Sequence, residues 1–202
     1  MPLPAAPPRA PARAGYTIVE TVIALVLIGL ALAAVTARVN RASYDADAAA
    51  RVIAGTLQTA QRLAITQQST VVVAFDTARR RLRTLEDRNG NLQYNAAAID
   101  SERVTWRPVD TQAAYFGAPP AGVNGPVTAS LVSIDSVATA YSGLPSVAFR
   151  RDGAASANLE VYVRVTRRGG TEWRAVTVTQ ATGRVTWWAL PAAGGAWKRR
   201  TL

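Results

Sequence analysis

Residues 16 to 37 read YTIVETVIALVLIGLALAAVTA, and how this stretch is taken decides the fold. It carries one charge, Glu20, and runs unbroken apolar from Val22 to Val35. Taken whole as a helix, it spans roughly 33 Å, about one hydrocarbon core, which predicts a single membrane-spanning helix. A carboxylate inside such a helix costs on the order of 2.5–3.5 kcal/mol, so Glu20 needs a partner.

Upstream lies MPLPAAPPRAPARAG, residues 1 to 15, where recurring prolines forbid a helix and Arg9 and Arg13 are the charges. Two processing readings follow from the residues alone. A secretory signal would be cut near Ala31-Leu32-Ala33, and an uncleaved anchor would keep everything. Flanking charge does not orient the stretch, because Arg38, Arg41 and Arg51 follow it.

Downstream, residues 38 to 66 hold no proline and only Gly55 as an interior breaker. Ile53, Leu57, Ala60 and Ala64 recur at helical spacing and define an apolar face. One helix from Thr17 to Thr66, roughly 75 Å long, is expected.

The remainder reads as β. Residues 70 to 76 place Val71, Val73 and Phe75 on one face, and a second strand follows over 80 to 86. Asp87-Arg88-Asn89-Gly90 supplies a turn into Leu92-Gln93-Tyr94. Asp87, Asn89 and Asn91 resemble a calcium loop only superficially, since the glycine is misplaced and the distal glutamate is absent. Short strands are expected at 103 to 107 and 127 to 134, within an Ala/Gly/Pro/Ser-rich connection read as surface loops over 108 to 145. Strands follow at 146 to 150, 159 to 166, 172 to 179 and 183 to 189. A helix followed by antiparallel strands, with no βαβ alternation, is an α+β architecture.

Composition narrows the chemistry. The chain of 202 residues has no cysteine and no histidine, which excludes disulfides, thiolate or imidazole metal sites, and Ser-His-Asp catalysis. Asp45/Asp47 and Asp100/Glu102 read as solvated charges, so no enzyme, cofactor or metal site is expected. The balance of 23 Lys+Arg against 13 Asp+Glu gives a net charge of +10, and only Lys198 among the cations is a lysine. Arg174, Arg184, Lys198, Arg199 and Arg200 lie late in the chain, interleaved with Trp187, Trp188 and Trp197, a pattern suited to phosphates and bases. Arg79, Arg80, Arg81 and Arg83 read as a charged strand edge.

The segment Gly15-Tyr16-Thr17-Ile18-Val19-Glu20 closely resembles the type IV prepilin processing site. LQTAQRLAITQQSTVVVAFD (57 to 76) and the strands within 147 to 188, ending in Gly183-Arg184-Val185, resemble the GspH/FimT group of minor pilins and pseudopilins. The resemblance implies a leader over 1 to 15 cut after Gly15 by the prepilin peptidase, N-methylation of Tyr16, and pairing of Glu20 with a neighbouring subunit's terminal amine. It divides the chain into a transmembrane or filament-core helix at 16 to 37, an amphipathic continuation at 38 to 66, and a periplasmic β-rich domain at 67 to 202. Ala37 stands where that family often has a kinking proline, implying a straighter helix.

The implied fold is a long helical spine, its first half membrane-spanning, packed on an antiparallel sheet. The implied role is a minor pseudopilin of a type II secretion system, partnered by other pilins. It would be held in the inner membrane by one span, with its N-terminus cytoplasmic. The alternative is a FimT-like minor pilin that binds DNA for uptake. That group's Gly-Arg-x-Arg element is incomplete here, because Thr186 replaces the second arginine.

Overall fold

The computed structural model describes residues 16–38, 41–91, 102–109, 114–117, 122–126, 132–133, 143–167, 170–191 and 195–200. The chain divides at Val39 and Asn40 into two compact units, each described by itself.

The first unit holds helix α1, Ile18–Arg38. It starts where it does because Thr17 caps it: the Thr17 Oγ1 accepts the Glu20 N–H at 3.2 Å, and the Thr17 carbonyl accepts the Thr21 N–H. Thr17-x-x-Glu20 thus has capping-box spacing, with the glutamate in the positive first turn of the helix.

The second unit begins with helix α2, Arg41–Gln67. Its buried side is alanine apart from Ile53, Thr56 and Leu57. Small side chains let the helix axis approach the strands closely, and the larger Ile53 and Leu57 fill what remains. Two sheets receive it. Sheet A has the order β3-β2-β1-β6, formed by β1 (Thr70–Asp76), β2 (Arg81–Asp87), β3 (Val104–Pro108) and β6 (Ser146–Phe149). Sheet B has the order β10-β9-β8-β7-β4, formed by β4 (Ala114–Gly117), β7 (Leu159–Arg167), β8 (Gly170–Val178), β9 (Val185–Leu190) and β10 (Lys198–Arg200). Pairing is antiparallel except where β5 (Val132–Ser133) runs parallel to the start of β7.

One core joins α2 to both sheets: Ile53 and Leu57 meet Val71, Val73, Phe75, Val147, Phe149, Leu159, Val161 and Trp187. Fully burying each such side chain contributes about 1.5–3 kcal/mol. At the far end of α2 the Gln61 Nε2 donates to the carbonyls of Gly153 and Thr182, both at 2.9 Å. This gathers the β6–β7 and β8–β9 turns onto the helix. Gly183 sits there at φ +61°, and a Cβ on it would lie 2.0 Å from the Gly153 carbonyl oxygen. Any side chain there would have to displace backbone, and the left-handed φ favours glycine.

Three expectations are corrected. The α+β picture of one long spine gives way to two separate helices and a mostly β body of two antiparallel sheets. Asn40, an N-cap type of residue directly before Arg41, is the sequence signal that a continuous reading passes over. No helix among the described residues is long and apolar enough to cross a membrane, which overturns the transmembrane helix and the single-pass inner-membrane placement. The physical reason lies in the flanks. The unbroken apolar run, positions 22 to 35, covers only about 21 Å as a helix, against a hydrocarbon core of about 30 Å. Polar Thr17, Glu20, Thr21 and Thr36 had been counted into the span.

Smaller differences follow from tertiary pairing. One short strand, β4, occupies the connection read as loops, because it lies along β7, and β5 falls within the strand expected at 127 to 134. The partner of β2 beyond β1 is β3, with Leu85 opposite Val104, and residues 92 to 94 lie outside the described residues. Strand β7 alternates as expected, yet Glu160 and Tyr162 on its other face are also buried. Tyr162 packs against Trp197, whose Nε1 donates to the Asn124 carbonyl at 2.7 Å.

Candidate functional site

The N-terminal features converge on α1. Gly15 lies outside the described residues. Tyr16 is 82% exposed, one residue ahead of the Thr17 cap, and Glu20 is exposed in the first turn. Residues 16 to 31 are all exposed, among them Ile18, Val22, Leu25, Val26, Leu27 and Leu30. Over residues 16 to 31 the helix therefore has no buried side within its own unit. An apolar surface of this extent marks an interaction site rather than a stable face toward water.

The late basic residues separate into two groups. Arg184 is exposed just before β9 and forms no ion pair with a described residue. Lys198, Arg199 and Arg200 are exposed along edge strand β10, opposite Ala189, Trp188 and Trp187 of β9. Arg174 belongs elsewhere. Its side chain is 3% exposed and reaches across to α2, with Nε 2.5 Å from Asp47 Oδ1 and an Nη donating to Ser43 Oγ at 2.8 Å. It also donates to Glu172 Oε2 at 3.0 Å and to the Trp173 carbonyl. Beside it, Arg167 donates twice to Asp45 Oδ2, at 3.0 and 2.8 Å. Asp45 and Asp47 are therefore fasteners between α2 and the β7–β8 hairpin, not the solvated helix charges expected.

The tryptophans follow the same division. Trp187 is 3% exposed in the core, and half-buried Trp188 donates its indole N–H to Thr177 Oγ1 at 3.1 Å. The ring of Trp187 is thus not available for stacking. Neither a family model, a curated protein nor a solved structure matches the chain.

The arginines near 80 also changed character. Asp76 accepts from the Arg79 N–H at 3.0 Å and the Arg81 Nε at 2.9 Å. Burial opposes its ionisation, but these bonds and the two guanidinium charges outweigh that and hold the carboxyl below its ordinary value. Arg83 is buried, and the Arg81 guanidinium lies 3.7 Å from the ring centroid of exposed Trp106 on β3. The cluster is a cross-strand structure rather than a solvated edge. The acid in Asp76 next to the run was the available signal; the β2–β3 register that brings Trp106 over was not.

Two polar features are structural. On β7, Glu160 Oε2 accepts the Tyr162 hydroxyl at 2.6 Å, and burial together with that neighbouring carboxylate pushes the phenol far up, so it stays neutral. In the 87 to 91 turn, Asp87 Oδ1 accepts the Gly90 N–H and Asn89 Oδ1 accepts the Asn91 N–H. These oxygens close the turn.

Proposed function

We propose that the chain is a minor pseudopilin, a non-catalytic structural subunit of a type II secretion pseudopilus that takes part in protein export. In this reading the prepilin peptidase cuts between Gly15 and Tyr16, Tyr16 is N-methylated, and α1 joins the helices of other pilins in a filament core. The observation that carries it is α1 itself: a capped helix whose apolar residues are exposed from Ile18 to Ala31, with one acid in its first turn. Packing among like helices would cover that surface, and Glu20 would meet the terminal amine of a neighbour. The folded β body has a core of its own.

Mass spectrometry of the chain recovered from its native host tests the processing step. The expected mature polypeptide begins at N-methylated Tyr16. A polypeptide beginning beyond Ala33 would remove α1 and with it the filament role. Glu20→Ala should be processed normally and fail to enter filaments.

DNA capture as a FimT-like minor pilin is the second reading, favoured by the exposed cations of β10 together with Arg184. It ranks lower because Arg174 is committed to Asp47 and Glu172 and because Trp187 is buried. Submicromolar, salt-sensitive duplex binding that is lost in Arg184→Ala would reverse the order.

A further inference from the structure

Three turns meet at one end of sheet A, where β1 begins at Thr70, β2 ends at Asp87 and β6 ends at Phe149. They enclose an open cavity of about 450 Å³, lined by Ser69, Thr70, Arg88, Asn89, Arg150 and Arg151 among others. We propose that this cavity binds a small phosphorylated polyol, with the phosphate on Arg150 and Arg151 and the hydroxyl-bearing body against Ser69, Thr70 and Asn89. The inference is independent of the filament reading, since it uses neither α1 nor Glu20.

Charge is the first argument. Arg150 and Arg151 are exposed and form no ion pair with a described residue. The nearby Asp152 forms no ion pair with either among the described residues; its Oδ1 accepts the Ala154 N–H at 3.0 Å. Arg88 stands 3.6 Å from Glu86 at the rim. The one carboxylate of the lining, Asp87, accepts the Gly90 N–H. Guanidinium forks facing a site with so little competing negative charge favour a phosphate oxyanion.

Preorganisation is the second. The Ser156 N–H donates to the Ala148 carbonyl at 2.7 Å, and Ser156 Oγ accepts the Ala148 N–H at 3.0 Å. The Arg150 N–H donates to the Ala154 carbonyl, the Gly153 N–H to the Arg150 carbonyl, and Gly153 is tied to Gln61 on α2. The arginine-bearing turn is thus braced on both sides, so its backbone need not reorganise when the side chains bind. Across the cavity, the Ser69 backbone N–H is held by the Ala64 carbonyl.

The third argument is an unmet need. Ser69 lines the cavity, and its Oγ, covered in this conformation, has no hydrogen-bond partner among the described residues, a lack that costs about 1–3 kcal/mol until the side chain turns to meet one. A cavity of this size exceeds what a lone oxyanion fills, and hydroxyl and amide groups line the rest. A polyol supplies matching donors and acceptors.

Isothermal titration of the full chain with inorganic phosphate, glucose 6-phosphate and glucose tests this. Glucose 6-phosphate is expected to bind more tightly than phosphate, and glucose not at all. The double variant Arg150→Gln/Arg151→Gln should weaken glucose 6-phosphate by at least about tenfold without lowering the melting temperature. Ser69→Ala should weaken it by a smaller factor, and Arg184→Ala, outside the cavity, should leave it unchanged. Absence of binding by both phosphates at millimolar concentration would overturn the proposal. So would equal binding by the double variant, or a response reproduced by sulfate and tracking ionic strength alone. Preference for a glutamate-rich peptide over glucose 6-phosphate would assign the cavity to protein instead and also overturn it.

Discussion

Helices α1 and α2 are of similar length, 21 and 27 residues, and use their apolar side chains in opposite ways. In α2 the apolar residues occupy one stripe, every buried position faces strands, and the helix is part of the core. In α1 they encircle the helix, and from Tyr16 to Ala31 none is buried. Amphipathicity, not apolar content, decides whether a helix folds into its own domain. α2 is held by what lies within the chain, while α1 is suited to being held by something outside it.

The largest expected effect comes from making the same truncation in each helix. Leu57→Ala removes a fully buried side chain and should lower the stability of the body by about 2–5 kcal/mol in chemical denaturation. Leu27, 61% exposed, has no such cavity to leave, so Leu27→Ala should change that stability by less than about 0.5 kcal/mol. On the proposed pseudopilin reading, its effect should instead appear in co-purification with pilin partners, which should fall. Equal destabilisation by both variants would erase the distinction between the helices.

Next comes the fastening of α2. Arg174→Met leaves Asp47 and Glu172 without their shared cation and should cost about 3 kcal/mol, measurable by thermal or urea unfolding. Arg167→Met removes a half-exposed pair to Asp45 and should cost below about 1 kcal/mol. Were Arg174 a ligand-binding residue free of structural duty, the two variants would be equally stable.

Much of this contrast was legible beforehand, and the parts that were not share a cause. The face of Ile53, Leu57, Ala60 and Ala64 shows in the sequence because a period of 3.6 residues is local. So does the inward row of Leu159, Val161, Val163 and Val165, because alternation is local too. Arg174 looked like one cation among several, because its partners Ser43 and Asp47 lie more than a hundred positions away. Trp106 gave no sign of its arginines until the register Arg83↔Trp106 was known. Thr17 and Glu20 show the other kind of miss. Their capping-box spacing was visible, but Thr17 was read only within the processing motif and Glu20 for pairing with a neighbouring subunit, so a local structural role was passed over.

Gly183 sharpens the comparison further, because it sits where two turns are drawn onto α2. Gly183→Ala must displace the Gly153 carbonyl or the Gln61 amide, and it keeps a left-handed backbone that alanine resists. A loss of about 2 kcal/mol is expected in urea unfolding. Arg184→Ala, one residue on and exposed, should leave stability within about 0.5 kcal/mol. The glycine of the Gly-Arg-Val element would then be accounted for by packing, leaving only the arginine for any ligand.

The smallest effect concerns acid. α1 contributes one carboxylate, exposed Glu20, whereas the body holds Asp76 3% exposed against Arg79 and Arg81. Asp76 is buried, which disfavours its charge, but the Arg79 N–H and the two guanidiniums prevail and keep its pKa below the ordinary 3.8. A carboxyl whose folded value is depressed binds its proton more readily when unfolded. The stabilisation is therefore complete above the unfolded value and is lost as pH falls through the folded one. At neutral pH, Asp76→Asn should cost about 1 kcal/mol, through loss of charge-assisted hydrogen bonds. That difference from the parent chain should hold down to about pH 5 and shrink below pH 4, as the parent's own carboxyl protonates. A gap that stayed constant into strong acid would mean that Asp76 acts through the shape of its hydrogen bonds rather than its charge. The arginines at 79 and 81 would then be neighbours of the β1–β2 turn and not its electrostatic support.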